Sequence, residues 1–255
     1  MLLVIDVGNT NVVFGVFDKK KLIGEWRVAT HFHQTADEYG VLLIDLLKAR
    51  KIKIERIMGA ILSSVVPPLT PVFQEMTRKY FSREAMVVTH ELETGLLIRY
   101  DNPKEIGADR IVNAAAAYHL YGGPAIIVDF GTATTFGVIS REGEYLGGAI
   151  APGLTLSAEA LFSRASKLPR VELIKPKTVI GRDTISSMQS GMIFGYAGLV
   201  DEMVRRIRRE TGSEGLVVAT GGLSSLIAPE CGTIQKIRPT LTLEGLMIIY
   251  DLNVG

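Results

Sequence analysis

Two aspartates, Asp6 and Asp129, each close an apolar run and open a tight turn, a pattern suited to work beside phosphate. The first stands in Asp6-Val7-Gly8-Asn9-Thr10-Asn11, the second in Asp129-Phe130-Gly131-Thr132-Ala133-Thr134-Thr135. Glycine in such a turn lets the backbone approach a bulky anion. The turn's N–H groups, with the Asn9 and Thr10 side chains, can donate to phosphate oxygens. A carboxylate beside phosphate is repulsive unless Mg²⁺ lies between them, directly or through water, the usual manner of Mg²⁺ binding. Asp6 is the candidate for that ion. A hairpin Asp or Asn can also do no more than satisfy turn geometry. Two copies on matched strands, 123 residues apart, weigh against so plain a role. Neither Gly-x-x-x-x-Gly-Lys-Ser/Thr nor a strand-to-helix Gly-x-Gly-x-x-Gly occurs, so two common nucleotide loops are excluded.

Two further segments could bear on chemistry. Gly107-Ala108-Asp109-Arg110 follows Asn102-Pro103 and precedes a helix-like run from Ile111 to Leu120. At a helix mouth, Asp and Arg commonly make a cap and a surface ion pair. Thr220-Gly221-Gly222 follows the buried run Leu216 to Ala219, and a Gly-Gly pair there often marks only a turn or a helix start. His31-Phe32-His33 has spacing that could clamp zinc on a strand, but no third ligand is near, and a surface loop is the reading preferred. Arg205-Arg206-Ile207-Arg208-Arg209 is basic, yet Met203, Val204 and Ile207 suit a helix with one solvated face.

The elements that position these residues follow from periodicity. Strands are predicted from Leu2 to Val7, Val12 to Phe17 and Leu22 to Val28, with polar turns between them. A helix is predicted from about Thr35 to Arg50, then a strand from Ile57 to Leu62, a helix from about Leu69 to Phe81 and a strand from Met86 to Thr89. Ala125 to Asp129, Phe136 to Ile139 and Glu144 to Ile150 repeat the opening meander, each copy carrying Phe-Gly-Val in its second strand. A repeat whose unit is half the chain implies two related α/β halves, whose matching turns can converge on one cleft. Helices follow from Leu154 to Phe162, over most of Thr184 to Thr211 despite Gly191, Gly195 and Gly198, and from Leu243 to Leu252. Ala114 to Ala117 permits close helix packing, and Met192 to Val200 reads as core or a subunit contact.

Bulk composition limits the partners. With 47% apolar and 22% charged residues, a substantial core is expected. A formal charge of +1 provides no long-range field for nucleic acid or an anionic membrane, so both are disfavoured. Cys231 is the only cysteine, which excludes an intrachain disulfide and fits a reducing compartment. No run reaches the ~18–20 apolar residues of a membrane span, and the N-terminus reads as a strand, so a cytoplasmic protein is expected.

The paired hairpins and the distal Thr220-Gly221-Gly222 resemble the actin, sugar kinase and heat-shock ATPase superfamily. Gly107-Ala108-Asp109-Arg110 and Gly147-Gly148-Ala149-Ile150-Ala151-Pro152-Gly153 narrow this. With them, the chain resembles type III pantothenate kinase from Asp6 to about Gly222. The resemblance implies a duplicated actin-like, ribonuclease H-like α/β fold, with residues 1–120 and 121–255 as lobes around a central nucleotide cleft. It implies ATP-dependent phosphorylation of pantothenate to 4′-phosphopantothenate, the first step of coenzyme A synthesis. Asp109 would be the general base, with Gly107, Ala108 and Arg110 lining the pantothenate pocket and Tyr100 and Thr184 as further substrate contacts. Asp6, Val7, Gly8, Asn9, Thr10, Asn11, Val12 and Val13 would form one ATP phosphate segment and Thr132 a second. Gly221 and Gly222 would lie against the nucleoside, and Asp129 would bind K⁺ or NH₄⁺. A homodimer is also implied. Two rivals are another actin-like phosphotransferase, acting on a sugar, an acid or polyphosphate, and a nucleotide-binding regulator without catalysis. The regulator predicts loss of Asp109 or of one hairpin, and both are intact.

Overall fold

The N-terminal apolar runs form an antiparallel meander of β1 (Leu2–Val7), β2 (Asn11–Asp18) and β3 (Lys21–Ala29). The computed structural model describes residues 1–255. Beyond β1 the chain adds two parallel strands, β4 (Gly59–Ser64) and β5 (Ala85–Val87), giving the order β3-β2-β1-β4-β5. The crossovers are α1 (Ala36–Ala49) and α2 (Thr70–Phe81). Thr35 and Glu38 close a reciprocal capping box at the start of α1, which fixes where that helix begins. One face of the sheet, with Leu3, Ile5, Phe14 and Leu62, packs against Tyr39, Leu43 and Phe73 of these helices. Alternation turns Val4, Asp6, Val13 and Ser63 to the other face.

That other face meets the C-terminal helix (Leu241–Val254), since a β-carbon at Gly15 would stand 3.2 Å from a Leu243 methyl. The same helix packs on α3 (Ala108–Tyr121), with Gly245 so close that a β-carbon would lie 2.3 Å from the Val112 carbonyl oxygen. Ala114 to Ala117 are all buried.

Met1–Leu96, Tyr100–His119 and Thr242–Gly255 form this first unit, and Leu97–Arg99 with Leu120–Leu241 form a second. Residues 121–255 were expected to make one lobe, but the C-terminal helix groups with the first unit, held by the Gly15 and Gly245 approaches.

The second unit contains β6 (Leu97–Ile98), β7 (Ala125–Phe130), β8 (Ala133–Ile139), β9 (Glu144–Pro152), β10 (Leu216–Thr220) and β11 (Lys236–Ile237). Their order is β11-β10-β7-β8-β9-β6, the first sheet's plan with one edge strand added. Its helices are α4 (Leu154–Arg164), α5 (Thr184–Ser190), α6 (Tyr196–Thr211) and the short α7 (Ser224–Ile227). A π-helical stretch, Gly191–Gly195, joins α5 to α6 at the glycines that weakened the helix prediction. Tyr196, Val200 and Val204 of α6 pack on Val128, Val217 and Ala219.

The repeat is visible in the registers. Ile5 pairs with Phe14 in the first unit, Val128 with Phe136 in the second. Both meanders carry an irregularity directly after the valine of Phe-Gly-Val, at Val16/Phe17 and at Val138/Ile139. The copies differ at the turn. Gly8 N–H donates to Asn11 at 3.0 Å, whereas Gly131 N–H donates to Ala133 at 3.2 Å, so the second loop is one residue shorter.

Three local expectations need correction. β4 begins at Gly59 rather than Ile57 and extends to Ser64, which brings two serines to the strand end. Asp109 and Arg110 lie in the first turn of α3, not ahead of it. The two-residue strands β6 and β11 were not expected, since edge pairs so short have no periodicity to read.

Candidate functional site

In the first unit, Asp6 is the penultimate residue of β1, beside Val13 on one side and Ser63 on the other. The loop behind it is pinned by Thr30, whose hydroxyl donates to the Gly8 carbonyl at 2.7 Å and whose N–H donates to Thr10 at 3.0 Å. Asn9 and Thr10 are exposed and Asp6 is half-buried. Val7 and Val12 turn their side chains into the hydrophobic core, so only their backbones can face a ligand. A chain this fixed, with donors at its tip, is preorganised to receive an anion.

Asp109 sits near the end of β4, where Gly107 stands between it and Val65. Its Oδ1 accepts from the Arg110 backbone N–H at 2.8 Å. A β-carbon at Gly107 would stand 2.5 Å from that same oxygen, so glycine gives the carboxyl its place. Burial pushes the Asp109 carboxyl above the usual carboxylate range, while the Arg110 N–H and the Arg110 charge pull the other way without cancelling it.

The Arg110 side chain turns elsewhere. Its guanidinium lies over the Tyr100 ring, 5.8 Å from the centroid, and donates to the Glu105 carbonyl at 3.3 Å. Arg110 therefore braces Asp109 through its backbone, and cation–π attraction ties the guanidinium to Tyr100. Gly107 and Ala108 line a concavity of about 480 Å³ with Ser64, Val65, His90 and Ile106; Asp109, Arg110 and Tyr100 are not part of its lining.

In the second unit, Asp129 is the penultimate residue of β7, beside Thr135 and Thr220. Gly221 follows with φ +90°, and a β-carbon there would lie 2.3 Å from Asp129 Oδ1 and 2.7 Å from the Phe130 nitrogen. The backbone can close on the carboxylate only because this residue is glycine. Thr132 is exposed at the loop tip, and its carbonyl accepts from Gly153 N–H at 3.1 Å. Gly222 is exposed after Gly221. Tyr196 donates its hydroxyl proton to the Pro152 carbonyl and accepts from the Thr134 hydroxyl at 2.7 Å, tying α6 to the meander's end. Thr184 is exposed as the first residue of α5, capped by Asp183. A concavity of about 530 Å³ in this unit lies at the opposite end of β7, around Pro124, Ser140 and Gly215, and holds none of these residues.

Metal donors can be judged from the same geometry. No cluster of three or more His, Cys, Asp or Glu side chains gathers anywhere in the chain. Mg²⁺ commonly keeps water and substrate phosphates and takes one or two carboxylates, so Asp6 alone is a fitting donor. Beside each hairpin aspartate stands a buried hydroxyl without a hydrogen bond, Ser63 Oγ next to Asp6 and Thr220 Oγ1 next to Asp129. Ser63 was not expected as a site residue and Thr220 only as part of the Thr220-Gly221-Gly222 turn, since strand register alone places each beside its aspartate. Cys231 is inert by comparison, its buried thiol pushed up to about 12. Arg205, Arg206 and Arg209 pair with Glu202 on an exposed helix face, as a solvated face requires.

Residues 2–206 match the model of the family described as type III pantothenate kinase. A protein named type III pantothenate kinase from Geobacter sulfurreducens is 54% identical over 99% of this chain and 99% of its own. Another of that name, from Syntrophus aciditrophicus, is 54% identical over 99% of this chain and 100% of its own. Among solved structures, a candidate Baf family transcriptional activator from Campylobacter jejuni superposes with TM-score 0.61 at 18% identity, covering 98% of this chain and 97% of that one. An inorganic polyphosphate/ATP-glucomannokinase from an Arthrobacter strain gives 0.51 at 15% identity, covering 98% and 97%. At such identities the structural likeness speaks for a shared actin-like fold alone.

Proposed function

Because the chain belongs to the type III pantothenate kinase family, whose reaction is ATP-dependent phosphorylation of pantothenate in coenzyme A synthesis, we propose that Asp109 is its general base. The observation that carries this is the Asp109 carboxyl: braced by one backbone N–H, pushed upward by burial, and one residue from the concavity that Ala108 lines. A carboxylate of raised proton affinity is the better base near neutral pH. Asp109 takes the acceptor hydroxyl's proton as that oxygen attacks the γ-phosphorus of ATP. Gly107, Ala108, Arg110, Tyr100 and Thr184 contact pantothenate.

The ATP phosphates rest on the segment Asp6 to Val13 and on Thr132, and the nucleoside on Gly221 and Gly222. Asp6 receives Mg²⁺, directly or through water, and Asp129 receives K⁺ or NH₄⁺. When bound, these ions supply neutralisation of the charge spread over the phosphoryl oxygens. The backbone donors of the first hairpin do the positioning, and they are already in place through the Thr30 and Asn11 bonds.

A coupled ADP-release assay with pantothenate, run with and without K⁺, tests the reading. ADP formation that requires both is expected. Folded protein that fails to turn over with both present, yet phosphorylates another hydroxyl compound from a panel, would favour a different actin-like phosphotransferase.

A homodimer is part of the same proposal. Leu156, Phe162, Val179, Ile180 and Ile185 are exposed apolar side chains in the second unit, an unusual load for a surface left in water. Light scattering on purified protein should give twice the 27.8 kDa chain mass. Action in the cytoplasm suits the lone, free Cys231. No helix is long and apolar enough to cross a membrane.

A further inference from the structure

Thr220 is the register partner of Asp129 in the parallel pair of β10 and β7, so both side chains leave the sheet on the same face. Its hydroxyl is wholly buried and makes no hydrogen bond. Buried polar atoms almost always have partners, and one without calls for a specific explanation, such as a bound ion or water. The first unit repeats the arrangement. Ser63 is the register partner of Asp6, is wholly buried, and also makes no hydrogen bond. A packing accident would not recur at the matching strand position of both copies.

The surroundings of Thr220 narrow the ligand. Gly221 follows directly and, with φ +90° and no β-carbon, lets the backbone close on Asp129 Oδ1. One carboxylate and one neutral hydroxyl make an all-oxygen pair with a single negative charge. A hard cation of low charge suits it, while a protein-only divalent site would draw on more carboxylates. We propose that Thr220 Oγ1 is a neutral oxygen ligand of the monovalent cation bound at Asp129, a residue that no motif assigns to this ion. The proposal rests on the Asp129 reading given above and adds a second donor to it.

Thr220→Val keeps the shape and removes the hydroxyl, whereas Thr220→Ser keeps the hydroxyl. The test is the melting temperature of the full chain against KCl, at ionic strength held constant with tetramethylammonium chloride. Wild type and Thr220→Ser should gain stability with K⁺. Thr220→Val should need about tenfold more K⁺ for half of that gain, the loss of one charge-assisted bond. In K⁺-free buffer Thr220→Val should melt no lower than wild type, because it loses no protein hydrogen bond. Thr220→Ala gives the same comparison if valine does not fold. A wild-type K⁺ response in the folded valine or alanine variant overturns the Thr220 assignment and leaves Asp129 standing. If Asp129→Asn also responds to K⁺ as wild type does, the Asp129 reading itself fails and takes the Thr220 role with it.

Discussion

Gly107 and Asp109 are fitted to one another: a β-carbon on the first would occupy the space 2.5 Å from Oδ1 of the second. The carboxyl folds back over its own helix start, where the Arg110 N–H holds it. Gly107→Ala should therefore displace Asp109 while leaving the hydrophobic cores untouched. A shift of this order costs about 10²-fold in turnover. Steady-state kinetics with a parallel melting curve checks this, and unchanged kcat would show that the carboxyl's position does not matter.

Asp109→Asn should lower kcat by about 10²–10⁴-fold, the usual worth of a positioned base. ATP should still raise the melting temperature of the variant, because the hairpin residues are intact. Near-normal turnover in the folded variant would remove Asp109 from the chemistry.

The pH dependence has a definite sign. Burial raises the folded carboxyl's affinity for its proton above the ordinary aspartate value of ~3.9. A base must be ionised to act, so activity falls as pH drops through the raised value, and the acid limb of kcat/KM lies above the ordinary range. Stability moves oppositely. The group's contribution is fully present below the unfolded value and is lost as pH rises through the folded one. Asp109→Asn, freed of a buried charge, should melt no lower than wild type at neutral pH. A profile whose acid limb sits at the ordinary aspartate value would contradict this account.

Gly221→Ala combines a left-handed backbone with a β-carbon 2.3 Å from Asp129 Oδ1. A non-glycine residue held in such a conformation costs about 1–3 kcal/mol. The expected result is a lower melting temperature together with weaker nucleotide binding by calorimetry. Thr35→Ala is the contrasting case. It removes the capping box of α1, at a cost of about 1 kcal/mol, which in a chain this size lowers Tm by roughly 2–4 °C. Its kcat should be unchanged.

The duplicated plan was legible because its signals are local: two apolar runs ending in Asp-x-Gly, and two Phe-Gly-Val strands. Register was not. Ser63 looks like an ordinary small residue, and Thr220 like the start of a glycine turn, until parallel pairing sets them beside Asp6 and Asp129, and such pairing joins segments far apart in the chain. Arg110 shows a second limit. Its type suggested a surface ion pair, yet its backbone does the bracing and its guanidinium goes to Tyr100, because α3 begins three residues earlier than expected, at Ala108. The roles of Tyr100 and Thr184 toward substrate came only from resemblance, and the chain's own geometry gives Thr184 no partner that would have suggested one.

The C-terminal helix belongs with the N-terminal sheet. Gly245 nests on Val112, Leu243 reaches Gly15, and Asn253 bonds Glu93. Segments more than two hundred residues apart in the sequence thus share one unit, and the face of the sheet that carries Asp6 is covered only when residues 241–254 fold back onto it. Removing residues 241–254 should consequently be felt in the sheet that carries Asp6.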